Sequence, residues 1–318
     1  MSPLRQTLEE YLTVRRALGF ALRCPGSALR RFVEFAEGQG AAFITTELAL
    51  SWAQQPTAAD PSQWANRLSM VRRFAQHCAA VDPRTEVPPQ ALLPHRFQRK
   101  SPYLYSDDEI LRLLEAARRL PSMVGCCRKP PGLRAATYST LLGLMAVTGM
   151  RMSEPIGLDR DDVDLGRGVI TIRRTKFGKS RHVPIERSTQ QALRQYQRRR
   201  DQLCRHPQCP AFFLSECGTR ITEWALRWTF IKLSHQIGLR SPSDRRGPRL
   251  HDLRHGFALR TLLRWYREGL DVERQIPKLT TYLGHAHVND TYWYLSASPE
   301  LMQCAVRRLE DNPGEPRR

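Results

Sequence analysis

The sequence predicts a mainly α-helical protein with one small β-sheet, an α+β architecture divided between two domains. Its 318 residues exceed the usual ~100–200 residues of one domain. Hydrophobic residues make up 41% of the chain, enough for a core, and most of them recur at helical spacing. β-branched residues interrupt this pattern at 169–175, and a second short strand is predicted at 181–185.

The N-terminal part predicts an all-α domain over residues 1–98. Helices are expected over residues 8–20, 27–36, 45–52 and 62–80, separated by glycines and by Pro56. Arg67, Arg72 and Arg73 are expected at exposed positions of the fourth helix. This domain shows no catalytic motif.

A proline-rich linker is expected over residues 81–105, and it carries the basic residues Arg99 and Lys100. Ser106 and Glu109 then have the spacing of a capping box that opens a helix over 110–119. The second domain, residues 103–318, is predicted to hold further helices over residues 138–147, 193–203, 223–237, 251–269, 276–283 and 299–309. A proline-bearing insertion at 121–133 has no functional interpretation.

The charge of the chain favours a polyanionic partner. Fifty Lys and Arg residues against 31 Asp and Glu residues give a net charge of +19, an excess typical of nucleic-acid-binding proteins. No apolar run approaches the ~18 residues of a membrane span, and the N-terminus lacks the apolar stretch of a signal peptide. The eight cysteines show neither a disulfide framework nor paired zinc-ligand spacing. We therefore expect a cytoplasmic bacterial protein with no membrane partner and no bound metal.

Three segments carry residues suited to phosphate chemistry. Arg151 follows a helix that ends at Gly149, and Glu154 lies three residues further on. His251 and Arg254 have the same spacing at the start of another helix. Taken singly, these pairs also fit a surface ion pair and a solvated helix face. A third segment places His285 after a helix end at Gly284 and ahead of Tyr292 and Tyr294, which also fits aromatic packing in a core.

The order of these residues along the chain resembles that of the tyrosine recombinase (phage integrase-like) family. By this resemblance the catalytic residues are Arg151, Lys176, His251, Arg254, His285 and Tyr294, with Glu154 in support. Lys179 shares the turn with Lys176 and Tyr292 lies two residues from Tyr294, so both alternatives stay open. The DNA-binding residues are expected to be Arg67, Arg72, Arg73, Arg99, Lys100 and Lys179.

The resemblance also implies a mechanism and an assembly. Tyr294 attacks a DNA phosphodiester and forms a 3′-phosphotyrosyl intermediate, with His251 as proton acceptor and Lys176 protonating the leaving 5′-oxygen. The reaction needs no metal, ATP or other cofactor, and the acids at 159–164 are expected to cap a loop. The N-terminal core-binding (SAM-like) domain and the catalytic domain form a C-shaped clamp on double-stranded DNA. Four identical or related protomers recombine two DNA sites. The expected substrates are the ends of a mobile element such as a transposon.

Two other functions use the same residues. A type IB topoisomerase performs the same chemistry to relax supercoils. A non-catalytic DNA-binding accessory protein would keep the fold alone, although every catalytic position of the family is filled in this chain.

Overall fold

The computed structural model describes residues 2–94, 101–122, 132–173, 180–244, 247–296 and 299–311. The chain divides into two compact units, Met1–Lys100 and Ser101–Arg318. Most described residues are helical, and one three-stranded sheet lies in the second unit. The structure therefore confirms the predicted α+β class.

The first unit packs four helices around one apolar core. They are α1 (Pro3–Ala17), α2 (Arg23–Gly38), α3 (Thr46–Gln54) and α4 (Pro61–Ala79). Leu12, Phe32, Trp52 and Phe74 are almost fully buried between them. The first helix begins earlier than predicted because the Ser2 hydroxyl accepts a hydrogen bond from the Arg5 amide, which caps the helix start.

Two of the three arginines on α4 are less exposed than the sequence predicted. Arg67 is half-buried, with its guanidinium 3.7 Å from the centroid of the Trp52 ring. Arg72 is also half-buried and donates to the carbonyls of Pro88 and Pro89 at 2.7 and 2.5 Å. The expectation of exposure is therefore wrong for both, because tertiary partners occupy their guanidiniums, and it holds for Arg73.

The second unit contains the sheet and the remaining helices. Its helices are α5 (Asp107–Arg118), α6 (Leu133–Thr148), α7 (Ser153–Gly157), α8 (Arg187–Leu203), α9 (Glu223–Gln236), α10 (Leu250–Arg267), α11 (Val272–Leu283), α12 (Asn289–Tyr292) and α13 (Pro299–Asp311). Short 3₁₀ helices cover Arg160–Asp162 and Trp293–Ser296. The predicted capping box of Ser106 and Glu109 is present at the start of α5.

The sheet is antiparallel, in the order β1 (Val163–Asp164), β2 (Val169–Ile172) and β3 (Arg181–Pro184). Ile172 pairs with Arg181 at the end of the β2–β3 ladder. The sequence did not predict β1, which has two residues and no periodicity to detect. Lys176 and Lys179 lie between β2 and β3 in the sequence, outside the described residues.

The buried helix α6 positions the functional residues of the second unit. Twelve of its residues are buried, and it packs against α5, α8 and α10. A second apolar cluster joins α10 and α11 to Tyr294 and to Leu301 of α13. The ends of α6 and α11 and the start of α10 thus belong to one packed body.

Candidate active site

Gly149 ends α6 and turns the chain toward Arg151. Its φ of +61° is in the left-handed region, which favours glycine. A Cβ at this position would lie 2.6 Å from the Phe257 ring. The Gly149 carbonyl accepts a hydrogen bond from Nη1 of Arg254 at 2.8 Å, so the turn joins the first arginine of the site to the second.

Glu154 is a buried carboxylate shared by two arginines. Its Oε1 accepts from Nη1 of Arg151 at 3.0 Å, and Arg181 donates to both of its oxygens at 2.9 and 2.7 Å. Burial alone would raise the pKa of Glu154. The hydrogen bonds and charge of Arg181, with the Arg151 amide and the charge of Arg254, outweigh burial and hold the pKa below its ordinary value. Glu154 is therefore ionised near neutral pH and orients both guanidiniums.

Arg254 is the deepest basic group of the site. It is 2% exposed and lies on the first turns of α10, which begin with a capping box formed by Arg249 and Asp252. Burial, and then the charge of Arg151, lower the pKa of Arg254 to about 10. The guanidinium nevertheless keeps its charge at pH 7.

The last carbonyls of α11 accept hydrogen bonds from all three guanidiniums. Arg181 Nε donates to Tyr282 O, Arg254 Nη2 to Leu283 O, and Arg151 Nη2 to Gly284 O, each at 2.7 Å. Carbonyls at a helix C-terminus lack partners within the helix and carry its negative partial charge. The end of α11 therefore fixes the arginines beside one another, and Glu154 pairs with two of them.

His285 follows this helix end directly. Its Nδ1 lies 2.7 Å from the hydroxyl of Thr291, and its backbone amide donates to Thr280 O at 3.0 Å. Burial, together with the charges of Arg254 and Arg151, lowers its pKa to about 4. His285 is therefore a neutral, oriented imidazole at pH 7.

The two candidate tyrosines occupy different environments. Tyr294 is 2% exposed, whereas Tyr292 is 42% exposed. The Tyr294 ring stacks on His285 with 6.1 Å between centroids, and its hydroxyl lies 3.0 Å from Nδ1 of His255. The structure thus brings Tyr294, and not Tyr292, against the histidines of the site.

His251 and His255 form one pair on α10, with ring centroids 4.6 Å apart. His251 is the exposed member, although protein atoms surround enough of its ring, next to Arg254, to lower its pKa to about 4. His255 is half-buried, and burial followed by the proximity of His251 lowers its pKa to about 3. Both rings are neutral at pH 7.

Six of the seven predicted catalytic and supporting residues have described side chains. Five of these six contact a common network: Arg151, Glu154, Arg254, His285 and Tyr294. His251 joins it through His255. Lys176 lies outside the described residues, as do Lys179, Arg99 and Lys100. Sequence reasoning missed Arg181 and His255. His255 had a detectable signal, since it lies four residues after His251 on one helical face.

The acidic segment after α7 has a structural role. Asp159 and Asp162 form a capping box on the 3₁₀ helix, and Asp162 also accepts from Arg173 at 2.5 Å. Within the described ranges, no group of three or more His, Cys, Asp or Glu side chains is arranged to hold a metal ion. Across the same ranges, no helix combines the length and apolarity needed to cross a membrane.

Known proteins are similar to this chain in sequence and in fold. Residues 105–300 match the model of the phage integrase family. The integrase/recombinase y4rB of Sinorhizobium fredii is 51% identical over 98% of each chain. The tyrosine recombinase XerD of Neisseria meningitidis is 32% identical over 77% of this chain and 76% of its own.

Solved structures resemble this fold at low sequence identity. The Tn1549 transposon integrase in complex with transposon right end DNA superimposes with a TM-score of 0.65, at 15% identity, over 97% of this chain and 99% of that one. The XerH site-specific recombinase gives a TM-score of 0.61, at 17% identity, over 90% of this chain and 78% of that one. Together with the sequence relatives, these findings define the class of the protein as a tyrosine site-specific recombinase, an enzyme of DNA recombination. The chain belongs to the phage integrase family.

Proposed function

We propose that the site cleaves and rejoins double-stranded DNA through a covalent bond to Tyr294. The observation that carries this proposal is the convergence of Arg151, Arg254 and His285 on the end of α11, with the Tyr294 ring stacked on His285. Arg151 and Arg181 pair with the Glu154 carboxylate there, and the positive charge of Arg254 also acts on it. A cluster with this charge is suited to a phosphodiester anion.

Arg151 and Arg254 bind the non-bridging oxygens of the scissile phosphate. Arg151 donates to Gly284 O and Glu154, and Arg254 donates to two carbonyls. A guanidinium carries five N–H donors, so each arginine can keep these bonds and still bind a phosphate oxygen. Charge-assisted hydrogen bonds of this kind stabilise the charge that develops as phosphorus is attacked. His285 donates a further hydrogen bond, and His251 contacts the phosphate from the exposed side of the cluster.

The covalent step conserves the energy of the phosphodiester. The Tyr294 oxygen bonds to phosphorus as the bond from phosphorus to the 5′-oxygen breaks, which leaves a 3′-phosphotyrosine. Lys176 supplies the proton to the leaving 5′-oxygen. Attack by the 5′-hydroxyl of a second strand reverses the step, so that rejoining consumes no ATP and needs no metal.

The biological role is the recombination of a mobile element in the bacterial cytoplasm. The names of y4rB, an integrase/recombinase, and of the Tn1549 transposon integrase support this choice. Recombination of two sites requires four protomers, either identical or mixed with related recombinases. Met302 and Val306 expose apolar surface on α13, and we assign this helix to contacts between protomers.

A suicide-substrate assay tests the proposal. Nicked duplexes from the ends of the element that carries the gene are incubated with wild-type protein, and covalent complexes are resolved on a denaturing gel. We expect a band in the wild type and in Tyr292→Phe, and none in Tyr294→Phe.

A band that survives in Tyr294→Phe and disappears in Tyr292→Phe would move the nucleophile to Tyr292. DNA binding without a band in the wild type, across all element-end substrates, would support an accessory protein instead. Relaxation of supercoiled plasmid that lacks any element end would favour a topoisomerase.

A further inference from the structure

The side chain of His255 contacts the reacting atom of the proposed nucleophile. Its Nδ1 lies 3.0 Å from the Tyr294 hydroxyl, within the range of a good hydrogen bond. The Tyr294 side chain is 2% exposed. The His255 ring is held on its other sides by His251 at 4.6 Å and Trp293 at 5.3 Å between centroids.

The protonation state of His255 suits an acceptor. Burial, and then His251, keep its pKa near 3, with Arg249 and Arg254 acting in the same direction and Asp252 opposing them. The ring is therefore neutral at pH 7 and has one unprotonated nitrogen. A bound phosphodiester adds negative charge beside these arginines. This charge raises the pKa of the His255 ring in the DNA complex, where His255 has to take a proton.

We propose that His255 is a further catalytic residue, which takes the phenolic proton of Tyr294 during strand cleavage. The O–H bond of Tyr294 breaks as Nδ1 of His255 gains the proton and the phenolic oxygen bonds to phosphorus. The phosphorus bond to the 5′-oxygen breaks in the same step, and that oxygen takes a separate proton from the general acid. During rejoining, His255 returns its proton to the departing Tyr294 oxygen.

This assignment gives the two histidines of α10, His251 and His255, different roles. The family resemblance makes His251 the proton acceptor, whereas in this structure it is Nδ1 of His255 that lies 3.0 Å from the Tyr294 hydroxyl. His251 is exposed at the helix start, where it can reach a phosphate. The proposal rests on Tyr294 as the nucleophile. The experiment therefore has to test the role of His255 separately from the role of Tyr294.

The experiment measures single-turnover formation of the covalent complex on the nicked substrate. His255→Asn keeps an acceptor near the position of Nδ1 but cannot take a proton. General acid–base catalysis contributes ~10²–10⁴-fold, so we expect cleavage to slow by about 100-fold in this variant. In His255→Ala, added imidazole should restore part of the lost cleavage rate. His206→Asn, at an exposed histidine, serves as the control and should cleave at the wild-type rate.

Cleavage by His255→Asn at the wild-type rate would overturn the proposal, because a hydrogen bond alone would then suffice. Failure of imidazole to restore cleavage in a His255→Ala protein that folds and binds DNA normally would also overturn it. A Tyr294→Phe protein that still forms the complex would refute the proposed nucleophile itself, whatever the His255 variants do.

Discussion

At the scale of single residues, Glu154 determines how the arginines are held. It is buried, and it balances Arg151 and the 9%-exposed side chain of Arg181. Removing one partner of a buried ion pair typically costs ~3–5 kcal/mol, because the remaining charge is left uncompensated.

We therefore expect Glu154→Gln to lower the free energy of unfolding by about 3 kcal/mol and to slow cleavage. Glu115→Gln is the matched control, since Glu115 pairs with Arg119 on the surface of α5 and exposed pairs contribute ~0–1 kcal/mol. Denaturant unfolding of both variants measures the difference. Equal losses in the two variants would show that Glu154 does not hold the cluster.

The sequence predicted residues that act through local spacing and missed those that act through tertiary contact. The pairs Arg151 with Glu154 and His251 with Arg254 are separated by three positions, so helical geometry alone brings them to one face. Arg181 reaches Glu154 from a position 27 residues away, and nothing in the spacing shows it. The half-buried state of Arg67 has the same cause, a ring contact with Trp52 on another helix.

At the scale of elements, the C-terminus of α11 organises the site. Gly284 has a φ of +68°, and a Cβ there would lie 2.8 Å from Nη1 of Arg181. Gly269 has a φ of +69°, but a Cβ there would meet nothing within 4 Å. An alanine would therefore meet similar backbone strain at both positions, but it would displace a neighbouring side chain only at Gly284.

We expect Gly269→Ala to cost about 1 kcal/mol for the left-handed conformation and to leave cleavage unchanged. Gly284→Ala should cost more and should also slow cleavage, because Arg181 has to move from the carbonyl of Tyr282. Thermal unfolding and single-turnover cleavage of both variants test this. Equal cleavage rates would contradict the positioning role of the α11 terminus.

Element ends with strong local signals were predicted well. Glycine marks the ends of α6 and α11, and the capping box marks the start of α5, so all three helix ends could be found from residue type. The strand β1 has only two residues and follows from its pairing with β2. A strand this short forms only by pairing with its neighbour, and it is too short to show a hydrophobic pattern in the sequence.

At the scale of the whole molecule, the net charge of +19 should dominate DNA affinity. Each phosphate contact contributes about −0.9 to the slope of log affinity against log salt concentration. Arg73 is exposed on α4 and donates to Ser69, one turn earlier on the same helix, whereas the guanidinium of Arg67 stacks on Trp52.

We expect Arg73→Ala to reduce the magnitude of the salt slope by about 0.9 with unchanged stability. Arg67→Ala should instead lower stability through the lost contact with Trp52. Fluorescence anisotropy across a salt series measures the slopes. An unchanged slope in Arg73→Ala would remove this residue from the DNA-binding surface.

The most direct test of the central claim is to identify the residue that carries the DNA. The covalent complex is formed in EDTA on a nicked element-end substrate, digested with nuclease and protease, and analysed by mass spectrometry. The account predicts a phosphonucleotide on Tyr294, formed at the same rate with and without EDTA. An adduct on Tyr292 or another residue, or an adduct that requires added Mg²⁺, would contradict it.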